Sequence, residues 1–413
     1  MIKKNKPVLV EMFSGIGSQA KALKKLGFDY NIYISDWDIS AFYAYDIIHY
    51  GKQDDELKKY SKLSRDELIN FLTSKHLSIN GKNTVSKNYL STWNTEALRK
   101  VYTAYIRTNN LGNIQKILYS DLPDNIEILT YSFPCQDLSI GGAWHGNMSG
   151  IDKDANNRSA MLWQVDRLLF DLKTYNKKLP TFLLMENVYN IRSERHNGNF
   201  LEWKNRLEKL GYCNKDFDLN ANKFGIPQSR KRTYMLSVLC HNNNNIYTYL
   251  KNYIFNEKPL KNINEFLRVN YSIQKYKDEA DISNPNKTPS RDKIYADNTL
   301  LYNGKALVNE IKTITTKQDR NPNSGIIEYP EHKPYKSSYR NLTPRECLLF
   351  MGFDEDDYDA LANNNFYIQN NKLFYKREKL ERLAGNSIVV NVLMEIFSLI
   401  DNIKKEFNDI LDL

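Results

Sequence analysis

The chain has 413 residues, of which 41% are hydrophobic and 26% are charged, as in an ordinary globular protein. This length predicts two domains, each able to bury its own core. Apolar runs stay well short of the ~20 residues that span a bilayer, and the N-terminus runs straight into a strand pattern, which favours a cytoplasmic protein without a secretory signal or membrane span. The four cysteines are widely spaced and the six histidines show no ligand spacing, so neither disulfides nor a metal site is expected.

The formal net charge of +9 is concentrated in two segments. Residues 51–110 hold 11 Lys/Arg against 6 Asp/Glu, and residues 241–340 hold 16 against 11, so each segment carries +5. Charge alone leaves two interpretations open, a solvated surface and a binding face for a polyanion.

The first predicted strand, residues 7–13, leads into a turn that contains Gly15 and Gly17. Glycines at these positions permit a tight turn and a close approach of a ligand to the following helix. The spacing fits G-x-G-x-x-G/A, with Asp36 as the acid after the next strand. Beside it, Trp37 offers a flat face for an adenine, or it simply packs in the core. On its own this pattern fits a nicotinamide cofactor, S-adenosylmethionine or a mere turn.

The region between this unit and the next strand is predicted to be mostly helical. Residues 38–50 have a helical pattern with aromatic residues on the inner face. Residues 51–110 form a polar, mostly helical insertion, in which Ser64 is a plausible helix cap. No chemistry is evident in this insertion.

The central feature is a buried strand, residues 126–130, that delivers Cys135 to its C-terminal end, where open α/β sheets form their ligand crevices. Pro134 cannot donate to a strand ladder, so a loop begins there. A lone cysteine is usually a buried structural thiol, but its polar neighbours favour an accessible one. The glycine-rich residues 140–150 that follow are either a mobile active-site loop or a passive one.

Two later strands also end in polar side chains. Residues 181–188 form a continuous apolar strand that contains Glu186, and a carboxylate there is costly unless something uses or pairs it. The alternating Gln228, Arg230 and Arg232 are predicted to share one face and to point at an anion.

After Cys240 the composition becomes Asn-rich and irregular, which indicates a linker followed by loops. Regular structure returns at residues 342–346, a predicted helix start capped by Thr343 with a proline in its first turn. Residues 384–387 are predicted to cap a strongly apolar final helix that packs back on the first domain.

Six motifs agree in type, order and spacing with one family. They are Phe13-Ser14-Gly15-Ile16-Gly17, Phe133-Pro134-Cys135-Gln136, Glu186-Asn187-Val188, the Gln228/Arg230/Arg232 alternation, Arg345-Glu346 and Gly385-Asn386-Ser387. Over nearly its whole length the chain resembles the DNA (cytosine-5)-methyltransferases of bacterial or phage restriction-modification systems. Two positions depart from the family pattern. Asp36 stands where a glutamate is usual, and Asn113 stands where an aspartate usually contacts the adenine amino group, which puts that contact in doubt.

The resemblance implies a fold and a domain division. The fold is an α/β, Rossmann-like S-adenosylmethionine-dependent methyltransferase domain with a mostly parallel seven-stranded sheet, joined to a smaller, irregular target-recognition domain. The catalytic domain would comprise residues 1–240 and 384–413, with 51–110 as an insertion. Residues 241–383 would form the target-recognition domain and a return segment.

The resemblance also implies the reaction, sequence-specific methylation of C5 of a flipped-out cytosine in double-stranded DNA through a covalent adduct. The implied catalytic residues are Cys135 as nucleophile, Glu186 at the base's N3, Arg232 at its carbonyl or a phosphate, and Gln228 and Arg158 in support. The implied cofactor contacts are Phe13, Gly15, Gly17, Asp36, Trp37, Asn113, Met161 or Leu162, Asn386 and Val389. The implied DNA contacts are Gln136, Ser139, Arg230 and Thr313, with Arg320, Asn321 and Asn323 as candidate base readers. A metal is not expected, and the protein is predicted to be a monomer, with a cognate restriction endonuclease possible alongside.

Three other functions are weighed against this one. A nicotinamide dehydrogenase would share the first strand-turn-helix unit but leaves Cys135, Glu186 and the arginines without a joint purpose. A tRNA cytosine-5 methyltransferase of the same family is a closer rival, although such relatives have a short variable region. A catalytically silent DNA-binding protein fits poorly with an intact Cys135 and Glu186.

Overall fold

The computed structural model describes residues 6–134, 161–241 and 243–411. Four of the predicted site residues, Cys135, Gln136, Ser139 and Arg158, therefore lie outside the described residues, as does the glycine-rich stretch after Cys135.

A mostly parallel sheet forms the centre of the fold. Apart from the short β6 (Gln228–Ser229), which belongs to a separate two-stranded sheet, the strands up to residue 239 form this sheet: β1 (Val8–Met12), β2 (Asn31–Ser35), β3 (Ile126–Tyr131), β4 (Phe182–Val188), β5 (Tyr212–Asn220) and β7 (Lys231–Leu239). Their order is β2-β1-β3-β4-β7-β5, and only β7 runs antiparallel to its neighbours. The predicted α/β fold is confirmed. The described part of the sheet has six strands rather than seven, and an isolated parallel bridge between Ile34 and Asn110 lies beside β2.

Helices cover both faces of this sheet, which explains why the central strands β1, β3 and β4 are mostly apolar and buried rather than alternating. In the first half of the chain they are α1 (Ser18–Leu26), α2 (Ile39–Tyr50), α3 (Asp54–Lys59), α4 (Arg65–Ser74), α5 (Lys87–Leu90), α6 (Thr95–Arg107), α7 (Leu162–Thr174) and α8 (Glu194–Lys209). One core lies between the sheet and α1, α2, α4 and α6, and a second lies between the sheet and α7 and α8. The predicted insertion thus contains helices α3 to α6, and the predicted cap of α4 is confirmed as a reciprocal capping box between Ser64 and Glu67.

The rest of the chain is richer in loops. Its helices are α9 (Asn244–Asn252), α10 (Gln274–Ser283), α11 (Pro289–Asp297), α12 (Pro344–Leu349), α13 (Glu355–Asn363), α14 (Arg377–Asn386), α15 (Val390–Glu406) and α16 (Asn408–Leu411). Its strands are β8 (Leu300–Tyr302), β9 (Ile311–Lys312), β10 (Ile326–Glu328), β11 (Tyr339–Arg340), β12 (Tyr367–Gln369) and β13 (Lys372–Leu373). The predicted cap of α12 is confirmed, because Thr343 and Glu346 form a capping box.

The prediction that residues 384–387 cap the final helix is wrong. These residues end α14 at Asn386, and α15 begins only at Val390 after a short extended link. The final helix does pack against α1 with its predicted apolar face buried. By length and composition the stretch Arg377–Glu406 is apolar enough to cross a membrane, but 72% of its apolar window is buried inside the protein.

The expectation that the cysteines form no disulfide is also wrong. Cys213 and Cys240 are disulfide-bonded, with their Cα atoms 6.0 Å apart. Antiparallel pairing of β5 and β7 brings together two residues that are 27 positions apart in the chain, which spacing alone does not reveal. Cys347 is a free, buried thiol.

Candidate active site

Four adjacent strands end in one row, and this row defines the candidate site. Met12 pairs with Ser35 on one side and with Tyr131 on the other, and Tyr131 pairs with Met185. The residues that follow these four paired positions along the chain are therefore Phe13, Asp36, Ser132 and Glu186. Carboxyl ends of parallel strands are where open α/β sheets bind ligands, so the predicted cofactor and catalytic segments meet at one edge.

The glycine turn after β1 is joined directly to the acid after β2. The backbone amide of Gly15 donates to Oδ2 of Asp36 at 2.9 Å. Gly15 has a φ of +58°, and a Cβ added there would meet no atom of the described residues within 4 Å, which leaves room for a ligand above the turn. Gly17 has a φ of +81°, and a Cβ there would overlap the rings of His49 and Tyr45. The turn therefore needs glycine for two different reasons, open space at one position and close packing at the other.

Asp36 is held by backbone amides on both oxygens. Besides the Gly15 amide, its Oδ1 accepts the amide of Asp38 at 2.8 Å. Burial and the neighbouring Asp38 carboxylate raise the pKa of the Asp36 carboxyl to about 7, against the lowering effect of the two amides and of Arg382. A carboxylate oxygen has two lone pairs, so each oxygen can still accept a ligand hydroxyl. Trp37, next in the chain, is half-buried.

Glu186 and Arg232 form the charged pair of the site. Antiparallel pairing of β4 with β7 brings them together, and Nε of Arg232 lies 3.5 Å from Oε1 of Glu186. Only 13% of the Glu186 side chain and 16% of the Arg232 side chain are exposed. Burial raises the pKa of the Glu186 carboxyl above its ordinary value, while the charges of Arg232 and Arg230 oppose that rise. The pair combines a carboxyl inclined to hold a proton with a cation beside it.

Asn187 belongs to the Glu186-Asn187-Val188 motif, but the sequence assigned it no role in the site. It is 1% exposed, its Nδ2 donates to the carbonyl of Phe133 at 3.1 Å, and its Oδ1 accepts the amide of Val188 at 2.8 Å. The side chain thus fixes the backbone two residues before Cys135. The sequence does contain one indication that Asn187 and Glu186 have different roles: strand alternation in β4 points Asn187 to the face of the sheet opposite Glu186.

The predicted anion-facing arrangement of Gln228 and Arg230 is wrong. Gln228 is fully buried, donates to the Phe350 carbonyl at 2.8 Å and accepts the Ile314 amide at 3.0 Å. Arg230 is 5% exposed and donates to the carbonyls of Ile314 at 2.8 Å, Gly385 at 3.0 Å and Ser387 at 2.9 Å. Protein backbone carbonyls therefore occupy donors of Gln228 and Arg230, whereas Arg232 pairs directly with Glu186. The charge of Arg230 still acts on the Glu186 carboxyl.

The segment that follows β9 is anchored to the same motif. β6 pairs in parallel with β9, and the Thr313 hydroxyl donates to the Ser229 carbonyl at 2.7 Å. Nδ2 of Asn323 donates to the Thr313 carbonyl at 2.7 Å, which holds the surface loop with Asn321 and Arg320 against Thr313. The Arg320 side chain is 68% exposed, with Nε 4.0 Å from Asp319. The exposed Arg320, Asn321 and Asn323 and the half-buried Thr313 therefore lie together beside the Gln228/Arg230/Arg232 motif.

The remaining predicted cofactor residues differ in accessibility. Asn113 is half-buried, and its Oδ1 accepts the Gln115 amide at 3.0 Å within a turn. Met161, at the start of α7, is half-buried, whereas Leu162 is fully buried. Asn386 is exposed and Val389 is 2% exposed. Leu162 and Val389 are thus less accessible than Met161 and Asn386.

Among residues 6–134, 161–241 and 243–411, the structure shows no group of three or more His, Cys, Asp or Glu side chains that could hold a metal ion. The charged groups described above at this edge are the Glu186 carboxyl, the Arg232 guanidinium and the Asp36 carboxylate, which accepts two backbone amides.

A mostly parallel sheet, a glycine turn and an acid at its carboxyl edge define the class of α/β proteins that bind a nucleotide-like cofactor there. Comparison with known proteins narrows this class. The sequence profile of the C-5 cytosine-specific DNA methylase family matches residues 65–402. The orphan methyltransferase M.SssI of Spiroplasma monobiae is 32% identical over 417 residues, which cover 95% of this chain and 97% of that protein. The type II methyltransferase M2.ScrFI of Lactococcus lactis subsp. cremoris is 32% identical over 388 residues, 94% of this chain and 97% of that protein.

Solved structures agree with the fold. The S. pombe Dnmt2 methyltransferase matches with a TM-score of 0.59 at 17% identity and covers 96% of this chain and 99% of that one. The Entamoeba histolytica methyltransferase EhMeth matches with a TM-score of 0.57 at 18% identity, covering 97% and 100%. The chain belongs to the C-5 cytosine-specific DNA methylase family, and the activity of this family is DNA cytosine-5 methylation. Family membership implies DNA as substrate and S-adenosylmethionine as methyl donor.

Proposed function

We propose that this enzyme methylates C5 of a cytosine in a specific sequence of double-stranded DNA through a covalent adduct with Cys135. The pairing of Glu186 with Arg232, in the same row of strand ends that leads to Cys135, is the observation that carries the proposal. C5 of cytosine is a poor nucleophile, and addition of a thiolate at C6 makes it an enamine-like donor.

Each charged residue has a part in that addition. As the Cys135 sulfur bonds to C6, negative charge moves to N3, and the Glu186 carboxyl donates or shares a proton there. The raised pKa of this carboxyl suits a group that must carry the proton near neutral pH. Arg232 binds the base's carbonyl or a nearby phosphate, and its positive charge favours the thiolate. The C5 carbon would then take up the methyl group that S-adenosylmethionine supplies. Loss of the remaining C5 proton to a base or to water forms the C5–C6 double bond again, so the Cys135–C6 bond breaks and its electron pair leaves with the sulfur as thiolate.

The cofactor site is proposed at the ends of β1 and β2. S-adenosylmethionine, when bound, supplies an electrophilic methyl group. The open space above Gly15 and the half-buried Phe13, Asp36 and Trp37 fit an adenosine in this crevice. Asp36 would accept ribose hydroxyls and Trp37 would stack on the adenine, with Gly17, Asn113, Met161 and Asn386 as further contacts and Leu162 and Val389 behind them.

DNA binding is proposed for the basic region. The division into a catalytic domain (1–240 and 384–413) and a target-recognition region (241–383) remains a proposal, supported by the +5 charge of residues 241–340. Thr313 is expected near a phosphate, and Arg320, Asn321 and Asn323 near base edges. Gln136 and Ser139 are proposed as further DNA contacts, and Arg158 as a supporting contact in the catalytic site. A cytosine inside a duplex is out of reach, so it must be flipped out of the stack.

We further propose a cytoplasmic monomer that acts within a restriction-modification system, with or without a cognate endonuclease. Similarity to proteins named type II methyltransferases supports the part of this proposal that concerns a restriction-modification system.

Bisulfite sequencing of DNA from cells that express this chain tests the proposal. We expect one short sequence context to become methylated at cytosine in the parent and none in Cys135→Ala. An unmethylated genome with an active protein would favour the tRNA-directed alternative, and DNA binding without methylation of any nucleic acid would favour the silent DNA-binding protein. Exchanging residues 241–340 for those of a relative should change the sequence context while retaining S-adenosylmethionine binding.

A further inference from the structure

We propose that the helical insertion, residues 51–110, together with Arg382, forms the outer wall of the cofactor site and holds the Asp36–Trp37 corner in its binding geometry. This inference rests on the proposed cofactor site. It gives a function to a segment in which the sequence shows no chemistry, and it makes Ser78 and Arg382 positioning residues for S-adenosylmethionine.

The insertion pairs with the cofactor corner through its backbone. The Ser78 amide donates to the Trp37 carbonyl at 2.7 Å, and the Ile39 amide donates to the Ser78 carbonyl at 2.8 Å. These two bonds form a parallel bridge opposite Asp38. The backbone on each side of Asp38 is therefore fixed by a residue that lies some forty positions further along the chain, in the insertion.

The segment around Ser78 is itself rigid. Ser78 is fully buried, and its hydroxyl donates to the Asn83 carbonyl at 2.8 Å and accepts the Gly81 amide at 3.0 Å. The Val85 amide closes the turn on the Leu77 carbonyl at 2.7 Å. A hydroxyl with this many backbone partners sets the shape of the turn, so its removal should loosen the wall without opening a large cavity.

Arg382 links the turn to the corner from a third direction. From α14 it donates to the Asn80 carbonyl at 2.9 Å and to the Ser40 hydroxyl at 2.9 Å, and it pairs with the Asp38 carboxylate at 2.8 Å. The guanidinium is 24% exposed, and the Asp38 side chain is 11% exposed. One arginine thus joins the insertion, the start of α2 and the helix that ends at Asn386.

These contacts reach the cofactor acid in two steps. Arg382 fixes Asp38, and the Asp38 amide binds Oδ1 of Asp36, whose other oxygen binds the Gly15 amide. The charge of Arg382 also lowers the pKa of the Asp36 carboxyl against the raising effect of burial, which favours the ionised form that accepts ribose hydroxyls. Loosening the wall should therefore weaken cofactor binding and leave the thiol chemistry unchanged.

The test compares binding of S-adenosylmethionine to the full chain by calorimetry in the parent, Ser78→Ala and Arg382→Ala, each checked for folding by circular dichroism. We expect Kd to rise about tenfold in Arg382→Ala, which loses the ion pair and hydrogen bonds that position the corner. We expect a severalfold rise in Ser78→Ala, which keeps its backbone bonds to the corner but loses the hydroxyl bonds that shape the turn. The KM for S-adenosylmethionine should rise in parallel, with kcat at saturating cofactor and DNA affinity within about twofold of the parent.

Arg99→Ala is the matched control, since Arg99 also donates to insertion carbonyls, those of Tyr60, Ser61 and Leu63, but away from the corner. It should bind the cofactor as the parent does. Unchanged Kd in folded Ser78→Ala would overturn the inference, whether or not Arg382→Ala folds, and so would an equal loss in Arg99→Ala. A parent that does not bind S-adenosylmethionine would refute the proposed function itself.

Discussion

Replacing Arg230 with alanine should destabilise the protein far more than replacing Arg232. The two arginines are two positions apart, yet Arg230 is 5% exposed and donates to three carbonyls, whereas Arg232 is half-buried and faces Glu186. The carbonyls bound by Arg230 belong to the segment before Thr315 and to the turn that ends α14. Arg230 therefore holds together parts of the chain that are far apart in sequence.

The structure gives a magnitude for each change. Hydrogen bonds from a charged donor contribute about 1.5–3 kcal/mol each, so loss of three at the lower value costs roughly 4.5 kcal/mol of unfolding free energy. Loss of Arg232 removes one ion pair of 3.5 Å, and the buried Glu186 can take up a proton instead of remaining a lone charge. That change should cost only about 1–2 kcal/mol. Its catalytic cost should be larger, about 10²–10³ in kcat, because Arg232 is proposed to bind the target base or a phosphate beside it.

Urea unfolding followed by fluorescence, combined with methyl transfer to DNA per folded molecule, separates the two roles. We expect a crossed result, in which Arg230→Ala loses mainly stability and Arg232→Ala loses mainly activity. If Arg230→Ala is as stable as Arg232→Ala and loses only DNA affinity, then Arg230 faces DNA, as the alternation in the sequence predicts, and the assignment made from the structure is refuted.

Three further predictions follow from particular contacts. Burial raises the pKa of Glu11 to about 8, so between about pH 5 and 8 only the unfolded state ionises and the stability of the parent falls by up to ~1.4 kcal/mol per pH unit. Glu11→Gln lacks this titration, so urea unfolding should show the parent losing stability relative to the variant as the pH rises over that range, and a constant difference would contradict it. Asn187→Ala should slow single-turnover methylation by about 10²-fold with cofactor affinity unchanged, because it frees the Phe133 carbonyl, and normal turnover would count against this role. Arg320→Ala should weaken binding to the target sequence by about 1–3 kcal/mol and relax the methylated sequence at one position, because Arg320 is proposed to read a base edge, and an unchanged methylated sequence would remove Arg320 from the base readers.

Local sequence patterns predicted the elements around the site well. Strands β1, β3 and β4 are short apolar runs bounded by turn residues, and they lie where their patterns indicate. The reciprocal caps at Ser64 and Thr343 were also predictable, since a capping box is a contact between residues three apart. Parallel strand order then brings Phe13, Asp36 and Glu186 to one edge.

Contacts between distant segments were not predictable in this way. Strand alternation shows that Gln228 and Arg230 share a face, but it cannot show that Ile314, more than eighty residues later, covers that face. The Cys213–Cys240 disulfide and the pairing of Ser78 with Trp37 depend in the same way on tertiary approach. Residues 384–387 end α14 and precede α15. The strongly apolar pattern in the sequence lies after these residues, so it indicated only the helix that follows them.

The central claim is that Cys135 attacks the target cytosine with the help of Glu186. A DNA duplex with 5-fluorocytosine at the target position blocks release of the enzyme, because the C5 proton is replaced by fluorine. In the presence of S-adenosylmethionine, we predict a denaturation-resistant adduct whose DNA-linked peptide contains Cys135, and a strongly reduced yield in Glu186→Gln. A Cys135→Ala protein that forms the adduct as well as the parent would contradict the mechanism.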